Sequence, residues 1–174
     1  MNKIEARRYA LSKRSALSNL EKNNNIVSVL SKYINEYDNI GIYYPIGSEI
    51  NILSIMELFP NKKFYLPITR DEISFIEYKI GDKLVDASFK TKEPVGNIVD
   101  RDLIDCFIIP CVAISNSKQR LGYGKGSYDR YLKGYKGFKI GVIYKELNNL
   151  DIECDNFDLY LDLVIEGWFL CFLQ

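Results

Sequence analysis

Cys106-Phe107-Ile108-Ile109, closed by Pro110, is a run of apolar residues with no polar position inside it. A strand with one wet face alternates. An unbroken apolar run of this length, stopped by a turn residue, reads as a strand covered on both faces. The same reading extends outward along the chain. Ile40–Tyr44, ended by Pro45, and Ile140–Tyr144 are comparable runs, Phe64–Ile68 is another broken at Pro67, and Leu161–Ile165 is a last candidate. Ile73–Tyr78 alternates and suits an edge strand or hairpin arm. Helical spacing fills the intervals. Residues 3–17 carry Ile4, Ala10, Leu11 and Leu17 as an apolar set, and Ser18 precedes Glu21 at capping-box spacing. Leu20, Val27, Leu30 and Ile34 form the face of a second helix to about Tyr37, and Ile52–Phe59 is a third helical stretch. Short buried strands separated by helices predict a three-layer α/β/α domain with a mostly parallel sheet, occupying residues 1–174 as one unit.

Composition narrows the chemistry. The 174 residues are 47% apolar and 13% aromatic, enough for a core without disulfide staples. Lys and Arg total 23 against 23 Asp and Glu, so the net charge is zero, which argues against a dedicated nucleic-acid binder. There is no histidine. That excludes Ser-His-Asp triads, Cys-His dyads, histidine metal ligands and a histidine base, leaving carboxylates, cations, tyrosines, backbone amides or a bound ion. Cys106, Cys111, Cys154 and Cys171 form no C-x-x-C pair, and most lie in or beside apolar runs, as small buried hydrophobes do. The N-terminal MNKIEARRYALSKR lacks the apolar core of a secretory signal. The longest apolar runs, Phe107–Ile114 and Trp168–Leu173, fall short of the roughly 18–20 residues that span a bilayer. A cytoplasmic protein with no membrane partner is expected.

In open parallel sheets, ligands bind beyond the carboxyl ends of the strands. Pro45–Glu49, Ser115–Asp129 and the segment after Tyr144 all fall there. The strongest local signal is Arg120-Leu121-Gly122-Tyr123-Gly124-Lys125-Gly126-Ser127-Tyr128-Asp129. Three alternate glycines let the backbone approach a ligand closely, successive amides can aim at one anion, and Arg120 and Lys125 add positive charge. That combination suits a polyphosphate. It is neither a P-loop, whose spacing fails at Gln119, nor a dinucleotide fingerprint, which lacks its third glycine at Ser127. A plain glycine-rich strand-to-helix turn with solvated cations is the alternative.

The loop and its continuation Arg130-Tyr131-Leu132 resemble the signature of the 5-formyltetrahydrofolate cyclo-ligase (methenyltetrahydrofolate synthetase) family. The resemblance runs over essentially the whole chain. Lys3 and Arg7 fit the family's opening helix, Tyr44 through Glu49-Ile50 its strand and acidic residue, and Glu93-Pro94 and Asp105–Pro110 follow in order. Asp158 and Asp162 precede a closing Leu163-Val164-Ile165. The resemblance implies ATP- and Mg²⁺-dependent cyclisation of 5-formyltetrahydrofolate to 5,10-methenyltetrahydrofolate, with release of ADP and phosphate. It also implies the family's fold, with folate and ATP as partners and no nucleic acid. A monomer is expected.

Carried over residue by residue, the resemblance gives Arg120 and Lys125 as catalytic cations on the ATP phosphates. Leu121, Gly122, Tyr123, Gly124, Gly126, Ser127 and Tyr128 shape the nucleotide loop, and Tyr123 to Ser127 also face the substrate. Lys3 and Arg7, four apart on one helical face, close over the nucleotide, although spacing alone favours a solvated face and only the resemblance reverses that; Arg14 is a weaker candidate. Asp129 and Asp158 become the Mg²⁺ carboxylates, with Asp155 and Asp162 as possible substitutes for Asp158. Glu49 and Tyr44 map to the folate pocket, a carboxylate for pterin N–H donors and a ring for stacking. The sequence departs from the family at Ser115 and Lys118, where an aspartate and a glycine are usual, at Ser127 in place of a tyrosine, and at Leu147 in place of a glutamine. No proline lies between Leu150 and Asp158, and Trp168 falls beyond the closing motif, where tail packing is expected. These departures leave room for a non-catalytic or divergent nucleotide-binding module of the same fold.

Overall fold

A computed structural model describes residues 1–18 and 20–167, with Leu20 and Glu21 described as backbone alone. The Ser18–Glu21 capping box and Trp168 therefore lie outside the described residues. Helix α1 (Lys3–Leu17) starts at a different box: Asn2 Oδ1 accepts from the Ile4 and Glu5 amides at 3.0 Å, and Glu5 accepts from the Asn2 amide at 3.1 Å. Its buried stripe is Ala6, Ala10 and Arg14, whereas Ile4 and Leu11 of the expected apolar face are exposed. Two alanines four apart let the helix backbone sit close to the loops below it, and the stripe then ends in a charge. Helix α2 (Leu20–Tyr33) buries Ile26, Val27 and Leu30 and stops four residues short of Tyr37.

The strands follow in chain order: β1 (Asn39–Gly41), β2 (Lys63–Thr69), β3 (Ile73–Tyr78), β4 (Leu84–Asp86), β5 (Lys92–Pro94), β6 (Cys106–Pro110), β7 (Ala113–Ile114), β8 (Arg120–Leu121), β9 (Phe138–Tyr144) and β10 (Leu163–Gly167). Six make the central sheet, in the order β10-β9-β6-β1-β2-β3. All neighbours are parallel except the antiparallel edge strand β3. β4–β5 and β7–β8 are two-stranded antiparallel ribbons. Helix α3 (Ile55–Leu58) is one turn inside the longer helical stretch expected, and α4 (Ser127–Tyr131) follows the glycine loop.

Pro67 does not break its strand. Tyr65 turns its backbone groups toward β1, accepting from the Ile42 amide at 2.9 Å, and Pro67, two residues on, faces the same side. Pairing with β1 ends at Tyr65, so the ladder asks Pro67 for no donor there.

The two faces are covered by different material. On one, α2 packs against β10, with Ile26 filling the space a Cβ at Gly167 would take. On the other, Phe107 lies across Gly41, where a Cβ would come within 2.3 Å of its ring. Phe107 is held edge-on by Phe75 at 4.9 Å, Tyr135 at 5.1 Å and Tyr131 at 5.9 Å, which fastens the 127–135 segment to the sheet. This is the three-layer α/β/α arrangement expected. The chain leaves β1 for β2 on one side and returns to β6 on the other. The crevice beyond β1 and β6 is thus the sheet's topological switch point.

Candidate active site

Three connections meet at that crevice: residues 42–50 after β1, the β7–β8 ribbon with its glycine loop after β6, and residues 145–162 after β9. The ribbon is tied down from both sides. Arg120 donates its amide to Leu159 O at 2.8 Å, Leu161 donates to Lys118 O at 3.0 Å, and Gln119 Nε2 donates to Asp155 O at 2.8 Å.

Arg120 sits under the loop rather than on it. Its side chain is 6% exposed, Nε donates to Pro110 O at 2.8 Å, and the guanidinium lies 4.9 Å from the Tyr128 ring centre. Nη1 is 3.8 Å from Asp129 Oδ2, and a Cβ on Gly122 would approach Nη1 to 2.5 Å. The first glycine of the loop is therefore needed for a packing reason. Gly126 is needed for a conformational one, since its φ of 64° places it in the left-handed region as it leads into α4. Lys125 projects outward, its ammonium 4.6 Å from the ring centre of exposed Phe89 on the β4–β5 connection.

Helix α1 closes over this loop from above. Arg7 Nε donates to Gly122 O at 2.8 Å, and its guanidinium lies against Gly124. One turn earlier, Lys3 Nζ lies 2.7 Å from Asp155 Oδ2 and 2.6 Å from Asp158 Oδ2. Burial works against the Lys3 ammonium, but the two carboxylates outweigh it and raise its pKa. The spacing of Lys3 and Arg7 thus corresponds to real convergence on the loop and the 155–158 turn.

Asp129 and Asp158 line one open groove of about 540 Å³, together with Gly126, Asp155 and Phe157. Asp129 Oδ1 accepts from the Leu159 amide at 3.0 Å, while Oδ2 lies beyond hydrogen-bonding distance of Arg120. No cluster of three or more acidic or cysteine ligands occurs among the described residues. Two carboxylates on one groove wall still suit Mg²⁺, which binds through one or two carboxylates plus phosphate oxygens and waters. Asp155 shares that wall, whereas Asp162 is turned to Lys139 at the start of β9, 2.9 Å from its ammonium.

Glu49 is 6% exposed. Its Oε2 accepts from the Ile46 amide at 2.8 Å. Burial raises its pKa, opposed by the Ile46 amide, the charges of Arg14 and Arg120 and the nearby Tyr123 hydroxyl. It lines a small enclosed cavity with Arg14, Tyr43, Pro110, Cys111 and Tyr144. Tyr44 does not share that cavity. It lines a separate groove of about 330 Å³ with Asn23, Asn51, Leu53 and Tyr78. Successive residues of an extended chain point to opposite faces, so Tyr43, whose hydroxyl donates to Ile50 O at 2.7 Å, takes the place beside Glu49.

Over residues 2–167 the sequence matches the 5-formyltetrahydrofolate cyclo-ligase family. The chain belongs to that family. It is 31% identical to the 5-formyltetrahydrofolate cyclo-ligase of Mycoplasma genitalium, over 95% of this chain and 98% of that one. A solved 5,10-methenyltetrahydrofolate synthetase from Mycoplasma pneumoniae superposes with a TM-score of 0.80 at 30% identity, covering 97% of this chain and 100% of its own. That from Aquifex aeolicus gives a TM-score of 0.83 at 30% identity, covering 95% and 89%. These relatives make the chain a cyclo-ligase of folate metabolism.

Two departures from the cyclo-ligase pattern have visible consequences. Lys118, where a glycine is usual, holds φ at 61° in the β7–β8 turn, a left-handed conformation costly for a lysine. Ser115 takes over a local role, its Oγ accepting from the Gln119 amide at 3.0 Å. Leu147 is fully buried in the core, and Ser127 begins α4 at a half-buried position. Sequence reasoning gave no role to Ser48 or Phe89. Phe89 carried no periodic signal, since its position against Lys125 depends on a left-handed backbone at φ 59°.

Proposed function

We propose that the chain closes 5-formyltetrahydrofolate to 5,10-methenyltetrahydrofolate at the expense of ATP, with Mg²⁺, releasing ADP and phosphate. A formamide carbonyl is a poor electrophile, and its oxygen cannot leave as hydroxide. Transfer of the γ-phosphoryl group forms an O–P bond on the formyl oxygen and breaks the bond to the β-phosphate, expelling ADP. The N10 lone pair then attacks the activated carbon, its proton passes to solvent, and the C–O bond breaks with phosphate leaving. Phosphoryl transfer asks a protein mainly for positioning and charge neutralisation, so this site needs no histidine.

In this reading Arg7, Lys3 and Lys125 neutralise phosphates around the loop amides, and buried Arg120 fixes the loop and Asp129 while keeping its charge on the transferring group. Asp129 and Asp158 would hold Mg²⁺, which supplies charge neutralisation between the phosphates. Lys3, which pairs with Asp158, would be free to meet phosphate where that aspartate holds the ion. Glu49 accepts from pterin N–H donors. Tyr44 has a place only where the p-aminobenzoylglutamate end of the substrate reaches the second groove. What supports the reading is that one loop borders both sites: Gly126 lines the groove with Asp129 and Asp158, and Tyr123 accepts from Arg14, which lines the Glu49 cavity.

The test is isotopic. With ¹⁸O in the formyl group, the reading requires one ¹⁸O atom in each inorganic phosphate released, in step with product formation. Phosphate without label would place the phosphoryl transfer elsewhere. Folded protein that binds ATP and forms no product would instead fit a binding module.

A further inference from the structure

Arg14 has no part in the phosphate chemistry above, yet it is 4% exposed at the end of the Ala6–Ala10–Arg14 stripe. A guanidinium in the last turn of a helix is favoured by the dipole, but that interaction works from the surface and does not call for burial. Arg14 Nε donates to Ser48 Oγ at 3.1 Å, and Nη2 donates to the Tyr123 hydroxyl, whose ring centre is 5.4 Å from the guanidinium. Nη1 is buried with no partner among the described residues. The Tyr123 hydroxyl, having accepted from Arg14, keeps one proton to donate, and Glu49 is the carboxylate whose charge acts on it. Arg14 and Glu49 also line the same small cavity.

The charged and titratable groups around Glu49 come from every side. Arg14 stands on α1, Tyr123 and Arg120 belong to the β8 loop, Tyr128 to α4, Cys111 follows β6, and Tyr43 is on Glu49's own segment. Burial keeps the three tyrosines and the thiol in their neutral forms. Of the two cations, Arg120 already faces Pro110 O and Asp129. Arg14 is the one whose bonds run to Glu49's own turn.

We propose that Arg14 is a positioning residue: through Ser48 and Tyr123 it ties the Glu49 turn to the glycine loop, and it sets the charge on Glu49 without touching substrate. The consequence for folate binding rests on the reading above, in which Glu49 meets the pterin. The effect on Glu49 itself does not. A buried carboxylate stays ionised only while nearby charge offsets its burial, and Arg14 supplies that charge across the cavity it shares with Glu49. Removing that cation makes Glu49 take up a proton at higher pH, and a protonated Glu49 is a poorer acceptor for ring N–H groups.

The test uses urea unfolding of the full chain from pH 5 to 8.5, with the Glu49→Gln variant subtracted in each background to isolate the Glu49 step. In Arg14→Gln, that step is expected to move up by about one pH unit, tenfold in proton affinity. Tyr123→Phe, which removes Arg14's partner on the glycine loop at an accessible side chain, is expected to move it in the same direction by less, and it keeps the test open should Arg14→Gln fail to fold. Arg14→Lys retains the charge and should leave the step near its wild-type position. A Glu49 step unmoved in both Arg14→Gln and Tyr123→Phe, however much stability falls, overturns the proposal. As a second readout, 5-formyltetrahydrofolate affinity in Arg14→Gln should fall, by up to the roughly tenfold that one pH unit allows, with ATP affinity within about twofold of wild type. Absence of folate binding by the wild-type chain would count against the cyclisation reading and leave the unfolding result standing.

Discussion

Replacing Arg120 by alanine removes three contacts at once, and their worth follows from the geometry. The hydrogen bond from Nε to Pro110 O, 2.8 Å and buried, has a charged donor; losing it leaves the carbonyl unpaired, at a cost of about 1.5–3 kcal/mol. The guanidinium over the Tyr128 ring at 4.9 Å adds roughly 1–2 kcal/mol in a desolvated setting. The pair with Asp129 is long at 3.8 Å and its carboxylate is 18% exposed, so it contributes at most about 1 kcal/mol. The sum, about 2.5–6 kcal/mol, brackets the general cost of breaking a buried charged contact. For a chain of this length each kcal/mol shifts Tm by roughly 2–4 °C, so Arg120→Ala should melt about 5–24 °C lower. Thermal unfolding by circular dichroism, with ATP affinity measured where the variant is fully folded, reads both consequences. Arg120→Lys, which keeps the charge and loses the fork, should fall between. A drop below about 3 °C, or wild-type ATP affinity in the alanine variant, would refute the claim that this guanidinium supports the loop from beneath.

Glu49 has a raised pKa, chiefly from burial, so the folded state holds its proton more tightly than the unfolded chain. The sign follows: Glu49 makes the protein less stable as pH rises from its unfolded value through its folded one. The advantage of Glu49→Gln over wild type in urea should therefore be larger at pH 8 than at pH 5, and the reverse order would contradict it. Lys118→Gly relieves a left-handed lysine and should stabilise by about 0.5–1 kcal/mol in chemical denaturation; a loss would mean that the turn holds Lys118 by contacts that outweigh its backbone cost. Burial pushes the Cys106 and Cys111 thiols up to about 12, so at pH 8 both should resist alkylation in the native state and react only on unfolding, as mass spectrometry of peptides would show. Asp129→Asn should leave the melting temperature within a few degrees and raise the Mg²⁺ needed for half-maximal turnover; an unchanged magnesium titration would remove Asp129 from the ion's shell.

Much of the fold was legible because its strands are buried on both faces. Cys106–Pro110 and the run ending at Tyr144 read as unbroken apolar stretches for that reason, and their carboxyl ends mark the crevice from sequence alone. Helix α1 was misread because its buried face is alanine, alanine, arginine: apolar periodicity cannot flag a face chosen for close approach and charge. The same blind spot left Arg14 with a minor part. Its spacing of four from Ala10 was the available signal, but burial of an arginine becomes apparent only when Ser48 and Tyr123 arrive from other elements. Strand alternation could have separated Tyr44 from Glu49, except that β1 ends at Gly41 and the chain's pairing to β2 stops at the Ile42 amide. Lys125 and Phe89 meet across 36 residues through a left-handed turn that no local pattern encodes.

The measurement that bears most directly on the account is turnover: purified chain with 5-formyltetrahydrofolate, ATP and Mg²⁺, followed by the near-ultraviolet absorbance of the methenyl product, with ATP omitted in a parallel sample. The account predicts product only with ATP, in equal amount to the phosphate released. Product formed without ATP, or none formed by folded protein that binds both ligands, would contradict it.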